Sequence, residues 1–209
     1  MIVGVLGAGG CGRGILPLVR DQIGPDDEAV FVDDADVGSL VNGTRVMTLD
    51  AFAAAPGDGA ICLAVANGAV RRTLDGRCRA LGIRYLTVQA AQHVTMDDVT
   101  VGEGALISPF TVFTSNIRIG RHFHCNLYSY VEHDCRIGDF VTFAPAVRCN
   151  GAVTVGDGAY IGAGAVIRQG LTVGAGATVG MGAVVTRDVP AGAIWAGNPA
   201  RPLPRAATA

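Results

Sequence analysis

No stretch of this 209-residue chain approaches the ~20 consecutive apolar residues that span a bilayer, so a transmembrane helix is not an organising element. An excess of one charge sign is also missing. With 16 basic and 18 acidic residues the formal net charge is −2, which gives no electrostatic case for nucleic acid or an anionic membrane as a partner. The six cysteines include no zinc-type CxxC pair, and the expectation is free thiols in a reducing cytoplasm. The opening Met1-Ile2-Val3-Gly4-Val5-Leu6 lacks the basic segment of a secretory signal and runs into glycines, so it reads as a strand.

What is present in abundance is a period. An apolar or small thiol side chain recurs every six residues at Val101, Ile107, Phe113, Ile119, Cys125, Val131, Ile137, Phe143, Cys149, Val155, Ile161, Ile167, Val173, Val179 and Val185. Every third one is followed by glycine, at Gly102, Gly120, Gly138, Gly156 and Gly174, which superimposes a period of eighteen. Three six-residue sides make one triangular coil, and units repeating at a fixed period bury their apolar faces on one another. The β-branched residue of each side points inward, and glycines at the corners can take positive φ. Five coils at about 4.8 Å spacing give a prism on the order of 20 to 25 Å long. Cys125 and Cys149 fall in inward slots and are expected to be buried thiols.

Before residue 90 the pattern differs. Strand-like runs at residues 2–6, 29–32, 60–65 and 84–88 alternate with helical stretches near 15–22, 49–55 and 69–81, a βαβ arrangement with a parallel sheet. It is about half the size of a fold that holds a dinucleotide, so one nucleotide fits better than two and an NAD-dependent oxidoreductase is disfavoured. Gly7-Ala8-Gly9-Gly10-Cys11-Gly12 reads GxGxxG between a strand and a helix, where backbone N–H groups can cradle phosphate; a plain tight turn is the alternative. Asp33 and Asp34 end the second strand, within reach of a ribose or a base. At the other end, Pro190, Pro199, Pro202 and Pro204 cannot donate to a ladder, so residues 191–209 are expected to cap the solenoid. The expected division is 1–90, 91–190 and 191–209.

Polar departures from the repeat concentrate between Arg121 and Asn150, with three of the four histidines at His122, His124 and His133. His133 lies two residues past the inward Val131 and is expected to point away from the core, with Asp134 holding one imidazole nitrogen and raising the basicity of the other. The histidines fall in different phases of the repeat, which argues against a metal. Solvated or hydrogen-bonded surface roles are expected for His122 and His124, and exposed positions for Arg71, Arg72, Arg136 and Arg148, solvated by default with contact to substrate phosphates as the alternative.

Taken together, Gly7-Ala8-Gly9-Gly10, Asn126, the stretch from Val131 to Phe140 and Gly197-Asn198-Pro199-Ala200 resemble the hexapeptide-repeat sugar acetyltransferases. The likeness is narrower to the nucleotide-linked 4-amino-sugar N-acetyltransferases of the bacillosamine and perosamine pathways, relatives of the sialic acid O-acetyltransferases. It implies a small Rossmann-like α/β domain followed by an all-β left-handed parallel β-helix, the handedness coming from the resemblance alone. It further implies a homotrimer with active sites between adjacent β-helices, acetyl-CoA as co-substrate lying along the prism, and a nucleotide-linked amino sugar held by the N-terminal domain as acceptor, which joins the cytoplasmic, metal-free setting expected from the residues. By position, His133 would be the base and Asp134 its acidic partner. Asn126, Thr142, Gly151, Ala163, Gly180 and Met181 would line the CoA and acetyl site, with the Gly151 N–H a candidate oxyanion donor. Gly9, Gly10, Cys11, Asp33 and Asp34 would contact the nucleotide sugar. Cys11 stands where the family often has His or Ser, Arg13 where it often has Lys, and Thr142 where it often has His. The same base would serve an O-acetyltransferase acting on a sugar hydroxyl, and a non-catalytic scaffold is the third reading.

Overall fold

The computed structural model describes residues 1–35 and 37–204. Its first part is a six-stranded sheet built from β1 (Ile2–Leu6), β2 (Glu28–Val32), β3 (Leu40–Val41), β4 (Thr44–Met47), β5 (Ala60–Leu63) and β6 (Arg84–Tyr85), in the order β3-β4-β2-β1-β5-β6. All pairings are parallel except β3 with β4. Helix α1 (Gly10–Gln22) covers one face through Ile15, Leu16 and Val19. Helices α2 (Leu49–Ala53) and α3 (Gly68–Ala80) lie on the other, where Leu49, Phe52 and Cys78 join a second core cluster. Because β1 and β5 are buried on both faces, they read as continuous apolar runs and not as alternating ones. The hairpin β3–β4 was not among the expected strands. Its turn is Asn42-Gly43, with φ of 48° and 72°, the two positive values that match the twist of a two-residue hairpin.

From Val88 onward the chain winds as a triangular parallel β-helix. Up to Val185 each side is a ladder in eighteen-residue register: His124 pairs with Thr142, Tyr130 with Arg148 and Arg136 with Thr154; the closing rungs shorten to sixteen, as in Thr178 with Ile194. The inward residues of the period form one continuous core in which Phe113, Val131, Phe143, Cys149, Ile161 and Val179 are fully buried. The ladders reach further than the sequence period does. A rung at Val88–Gln89 precedes them, and Ile194–Ala196 adds a last parallel rung on Thr178–Val179. Arg201–Leu203 then turns back antiparallel on that rung and ends the sheet, with Pro202 on the outermost strand.

The corners differ from expectation in an instructive way. Positive φ recurs every six residues, at Gly104, Phe110, Asn116, His122, Tyr128, Asp134, Phe140, Ala146, Ala152, Gly158 and on to Gly182. More than half of these corners are therefore left-handed without glycine, at a cost of about 1 kcal/mol each. The eighteen-residue glycines serve a different end. A Cβ at Gly138 would meet the backbone N of Asp157 at 2.7 Å, and one at Gly156 that of Ala175 at 2.5 Å, so these positions let one coil lie against the next.

Candidate active site

The three edges of the prism divide the expected site residues. Asn126, Ala163, Gly180 and Met181 fall along one edge, at the turns that follow Cys125, Ile161 and Val179, the first two turns two coils apart and the last two one coil apart. His133, Asp134 and Gly151 fall along the next edge, at the turns that follow Val131 and Cys149. Six residues, one side of the triangle on the order of 15 to 20 Å, separate the two groups. A single chain does not bring them together.

On its edge, His133 is held from two sides. Its Nδ1–H donates to Asp134 Oδ2 at 2.7 Å, and Asp134 Oδ1 accepts from Asn116 Nδ2 at 3.2 Å. Hydrogen bonding to Asp134 raises the imidazole pKa above its ordinary value, and the same bond lowers that of the carboxyl. The ring packs against Gly151, one coil on: a Cβ there would sit 2.5 Å from both Cε1 and Nε2. Nε2 has no partner among the described residues, nor does the Gly151 N–H beside it. The side chain is 58% exposed, so a proton acceptor faces open solvent. Cys135, by contrast, is fully buried and its thiol donates to the Asn150 carbonyl at 3.2 Å, a structural role.

Where the N-terminal sheet leans on the helix there is a cleft of about 430 Å³ between α1 and the side carrying His124 and Thr142. Gly10, Cys11 and Gly14 line one wall, Ser108, Asn126, Leu127 and Phe143 the other. A second cavity of about 310 Å³ opens at the ends of β1 and β2, bounded by Gly7, Asp33, Asp34, Val65 and Arg77. The glycine-rich turn lies between the two. Gly12 is required by packing, since a Cβ would fall 1.8 Å from the Gly7 carbonyl oxygen, and Gly7 has φ of 107°. Gly9 and Gly10 meet nothing within 4 Å, and Gly9 caps α1 without a side-chain bond, leaving the helix N–H groups to an outside acceptor. Asp33 is largely spent internally, accepting the N–H groups of Ala8 and Ala35 at 2.9 and 3.0 Å. Asp34 is exposed and pairs with Arg77 at 3.2 Å.

Three expectations are overturned. Arg71 is fully buried, with Nε donating to the His122 carbonyl and the terminal nitrogens to the carbonyls of Val65, Ala66, Phe140 and Val141 and to Thr142 Oγ1. Burial lowers its pKa to about 10, so it remains a cation at neutral pH. His122 is also fully buried, donating Nε2–H to Asp75 at 3.1 Å between the rings of Tyr85 and Phe140. His124 is 5% exposed and donates to the Leu63 carbonyl at 2.9 Å, and burial holds its pKa well below the usual imidazole value. The reason is common to all three: the first sheet and α3 cover this side of the prism, converting a surface into an interior. Asp75, which accepts from Tyr85, Arg79, Arg121 and His122, completes a polar joint that sequence reasoning missed. The three histidines of this region do not converge, each being tied to a different acceptor.

Residues 152–187 match the bacterial transferase hexapeptide (six repeats) family. The chain is 45% identical to the GDP-perosamine N-acetyltransferase of Escherichia coli O157:H7, over 99% of this chain and 98% of that protein. Among solved structures, WeeI from Acinetobacter baumannii AYE superposes with a TM-score of 0.94 at 48% identity, covering 97% of this chain and 100% of that one. The acetyltransferase domain of PglB from Neisseria gonorrhoeae FA1090, in complex with acetyl coenzyme A, superposes with a TM-score of 0.89 at 32% identity, covering 97% and 98%.

Proposed function

Because this chain belongs to the hexapeptide-repeat N-acetyltransferases of nucleotide-linked 4-amino sugars, we propose that it acetylates the 4-amino group of a GDP-linked 4-amino-4,6-dideoxy sugar. The observation that carries the chemistry is the exposed His133, bonded to Asp134 and seated on Gly151.

Acetyl-CoA supplies an activated acyl thioester. A sugar amine attacks only when neutral, and His133 Nε2 accepts the proton it gives up as nitrogen bonds to the acyl carbon. Asp134 keeps the other ring proton on Nδ1, so the basic nitrogen is the one facing out. The Gly151 N–H, adjacent and unpartnered, donates to the carbonyl oxygen as negative charge develops there, and the adduct then collapses with cleavage of the C–S bond, the CoA thiolate leaving and taking up the proton held by His133. No covalent intermediate with the protein is required, and Cys135, beside the acid, is buried with its thiol bonded to the Asn150 carbonyl.

Substrate placement follows from the two cavities and the turn between them. The nucleoside occupies the 310 Å³ cavity beside Asp33 and Asp34, the diphosphate lies over Gly9 and Gly10 at the N-terminus of α1, and the sugar enters the cleft lined by Cys11, Asn126 and Thr142. Residues 1–90 thus bind the nucleotide sugar, residues 91–190 carry the transfer, and of the expected cap at 191–209 residues 191–204 close the helix, residues 205–209 lying outside the described residues. The edge bearing Asn126, Ala163, Gly180 and Met181 fits an extended ligand: Gly164 and Gly182 there face open space, and Met181 is 81% exposed. Since this edge and that of His133 lie apart in one chain, the complete site forms between neighbouring copies, which supports a homotrimer. No helix among the described residues is long and apolar enough to cross a membrane, and six free thiols fit a cytoplasmic setting.

The test is thiol release from acetyl-CoA with GDP-, UDP- and dTDP-linked 4-amino-4,6-dideoxy sugars and with their 4-hydroxy counterparts, run beside His133→Ala. Turnover on the GDP-linked amine that collapses in the variant is the expected result. Release with the hydroxyl acceptors alone would replace N-acetylation by O-acetylation.

A further inference from the structure

The left-handed corners along the His133 edge repeat every eighteen residues as Asp98, Asn116, Asp134, Ala152 and Gly170, with φ of 46°, 56°, 62°, 57° and 74°. Glycine satisfies such a corner without strain, and alanine tolerates it at modest cost. Asparagine is the non-glycine residue best suited to it, and unlike glycine it also carries a donor. At position 116 that donor points up the column: Nδ2 reaches Asp134 Oδ1 at 3.2 Å, while the other oxygen of the same carboxylate accepts from His133 Nδ1 at 2.7 Å.

We infer that Asn116 is a positioning residue for the acetyl transfer: by holding one oxygen of Asp134 it aims the other at His133 Nδ1, and so fixes both the ring proton and the direction of Nε2. This rests on the reading of His133 as the base. The geometry leaves Asp134 little other support, since no other side chain donates to its carboxylate among the described residues. Both Asp134 and Asn116 are surface residues on a corner, where an unheld carboxylate exchanges its bond to imidazole for water. The remaining charged neighbours are Glu132 beside His133 and the Asp98–Arg118 pair one coil below Asn116. Asp98 is itself engaged by Arg118, which leaves the Asn116 amide to Asp134.

The experiment compares Asn116→Gly, Asn116→Asp and His133→Ala in the full-length protein. Glycine suits φ of 56°, so Asn116→Gly keeps the corner and removes only the amide; its melting temperature is expected to stay at or above that of the parent. Its kcat is expected to fall about tenfold, a part of the roughly 10²–10⁴ that a positioned base contributes, with both KM values within twofold. The acid limb of kcat/KM and the His133 imidazole titration followed by NMR, assigned by its loss in His133→Ala, are expected to move to lower pH together. Asn116→Asp, which sets a second carboxylate against Asp134, is expected to lower kcat further. An unchanged His133 titration and unchanged kcat in Asn116→Gly overturn the proposal. Full activity in His133→Ala instead removes the base itself, and the NMR titration still reports whether Asn116 orients the pair.

Discussion

Replacing Gly151 by alanine removes the space in which the His133 ring lies. The added Cβ would stand 2.5 Å from Cε1 and Nε2, against the 3.5–4.0 Å of an ordinary carbon contact, so the ring must retreat by about 1 Å. Gly151 is not among the positive-φ glycines, so the backbone accepts alanine. The ring is the movable partner: at 58% exposure it can swing outward, breaking the 2.7 Å bond to Asp134 and carrying Nε2 off its line. A misplacement of this size costs on the order of 10²-fold in rate. Stability should hardly change, because no buried apolar group is lost. Gly138→Ala is the contrasting control. Its Cβ would strike backbone atoms of the next coil at 2.7 and 3.1 Å, which cannot move aside separately, so it should unfold at distinctly lower temperature. The assay pairs thiol-release kcat at saturating substrates with thermal melts of both variants. A Gly151→Ala enzyme with kcat within threefold of the parent, or one as thermally damaged as Gly138→Ala, refutes the reasoning.

Other outcomes follow from the same geometry. The base works only when neutral, so activity falls as pH drops through the folded pKa of His133; Asp134 raises that pKa, and Asp134→Asn should therefore shift the acid limb of kcat/KM to lower pH while reducing kcat. If the site is shared between copies, co-expressed His133→Ala and Asn126→Ala chains, each inactive alone, should regain about one quarter of parental activity in mixed trimers, measured by thiol release. No recovery would place the site within one chain. Asp75→Ala strips a common acceptor from Tyr85, Arg79, Arg121 and His122 and should cost about 3–5 kcal/mol, read as a fall in melting temperature of roughly 10 °C. Burial pushes the Asp75 carboxyl up, but its hydrogen bonds to Tyr85 and Arg121 hold it low overall; its support is therefore full above the unfolded carboxyl value near ~3.9 and fades as acid takes the pH through the lower folded value. Of the six cysteines only Cys11 is partly exposed, so native alkylation should label one site, slowly because burial raises that thiol's pKa, and a GDP-linked sugar should protect it.

The solenoid was legible because six-residue periodicity survives any detail of packing, and His133–Asp134 because adjacent residues at a corner need no long-range information. The N-terminal hairpin was missed: Asn42-Gly43 is a strong two-residue turn signal, but its flanking strands are too short to stand out as runs. The polar joint was not legible either. On α3 the buried face is Arg71, Asp75 and Cys78, while Val70 is 46% exposed, the reverse of what an apolar stripe predicts. Arg71 meets Phe140 and Thr142 across 69 and 71 residues, a separation over which neither propensity nor period carries information. The polar run at residues 121–124 did signal an irregularity, but only the covering domain turns those side chains inward.

That joint grips the prism from the side at the coils carrying His122, His124, Phe140 and Thr142, and among the described residues none of its hydrogen bonds reaches the coils beyond Thr178. A stack of nearest-neighbour contacts behaves like a zipper that is pinned at one point and free at its tail. Amide exchange should therefore fray inward from Leu203, and the coils nearest the pin, those that carry the base, should be the last to open.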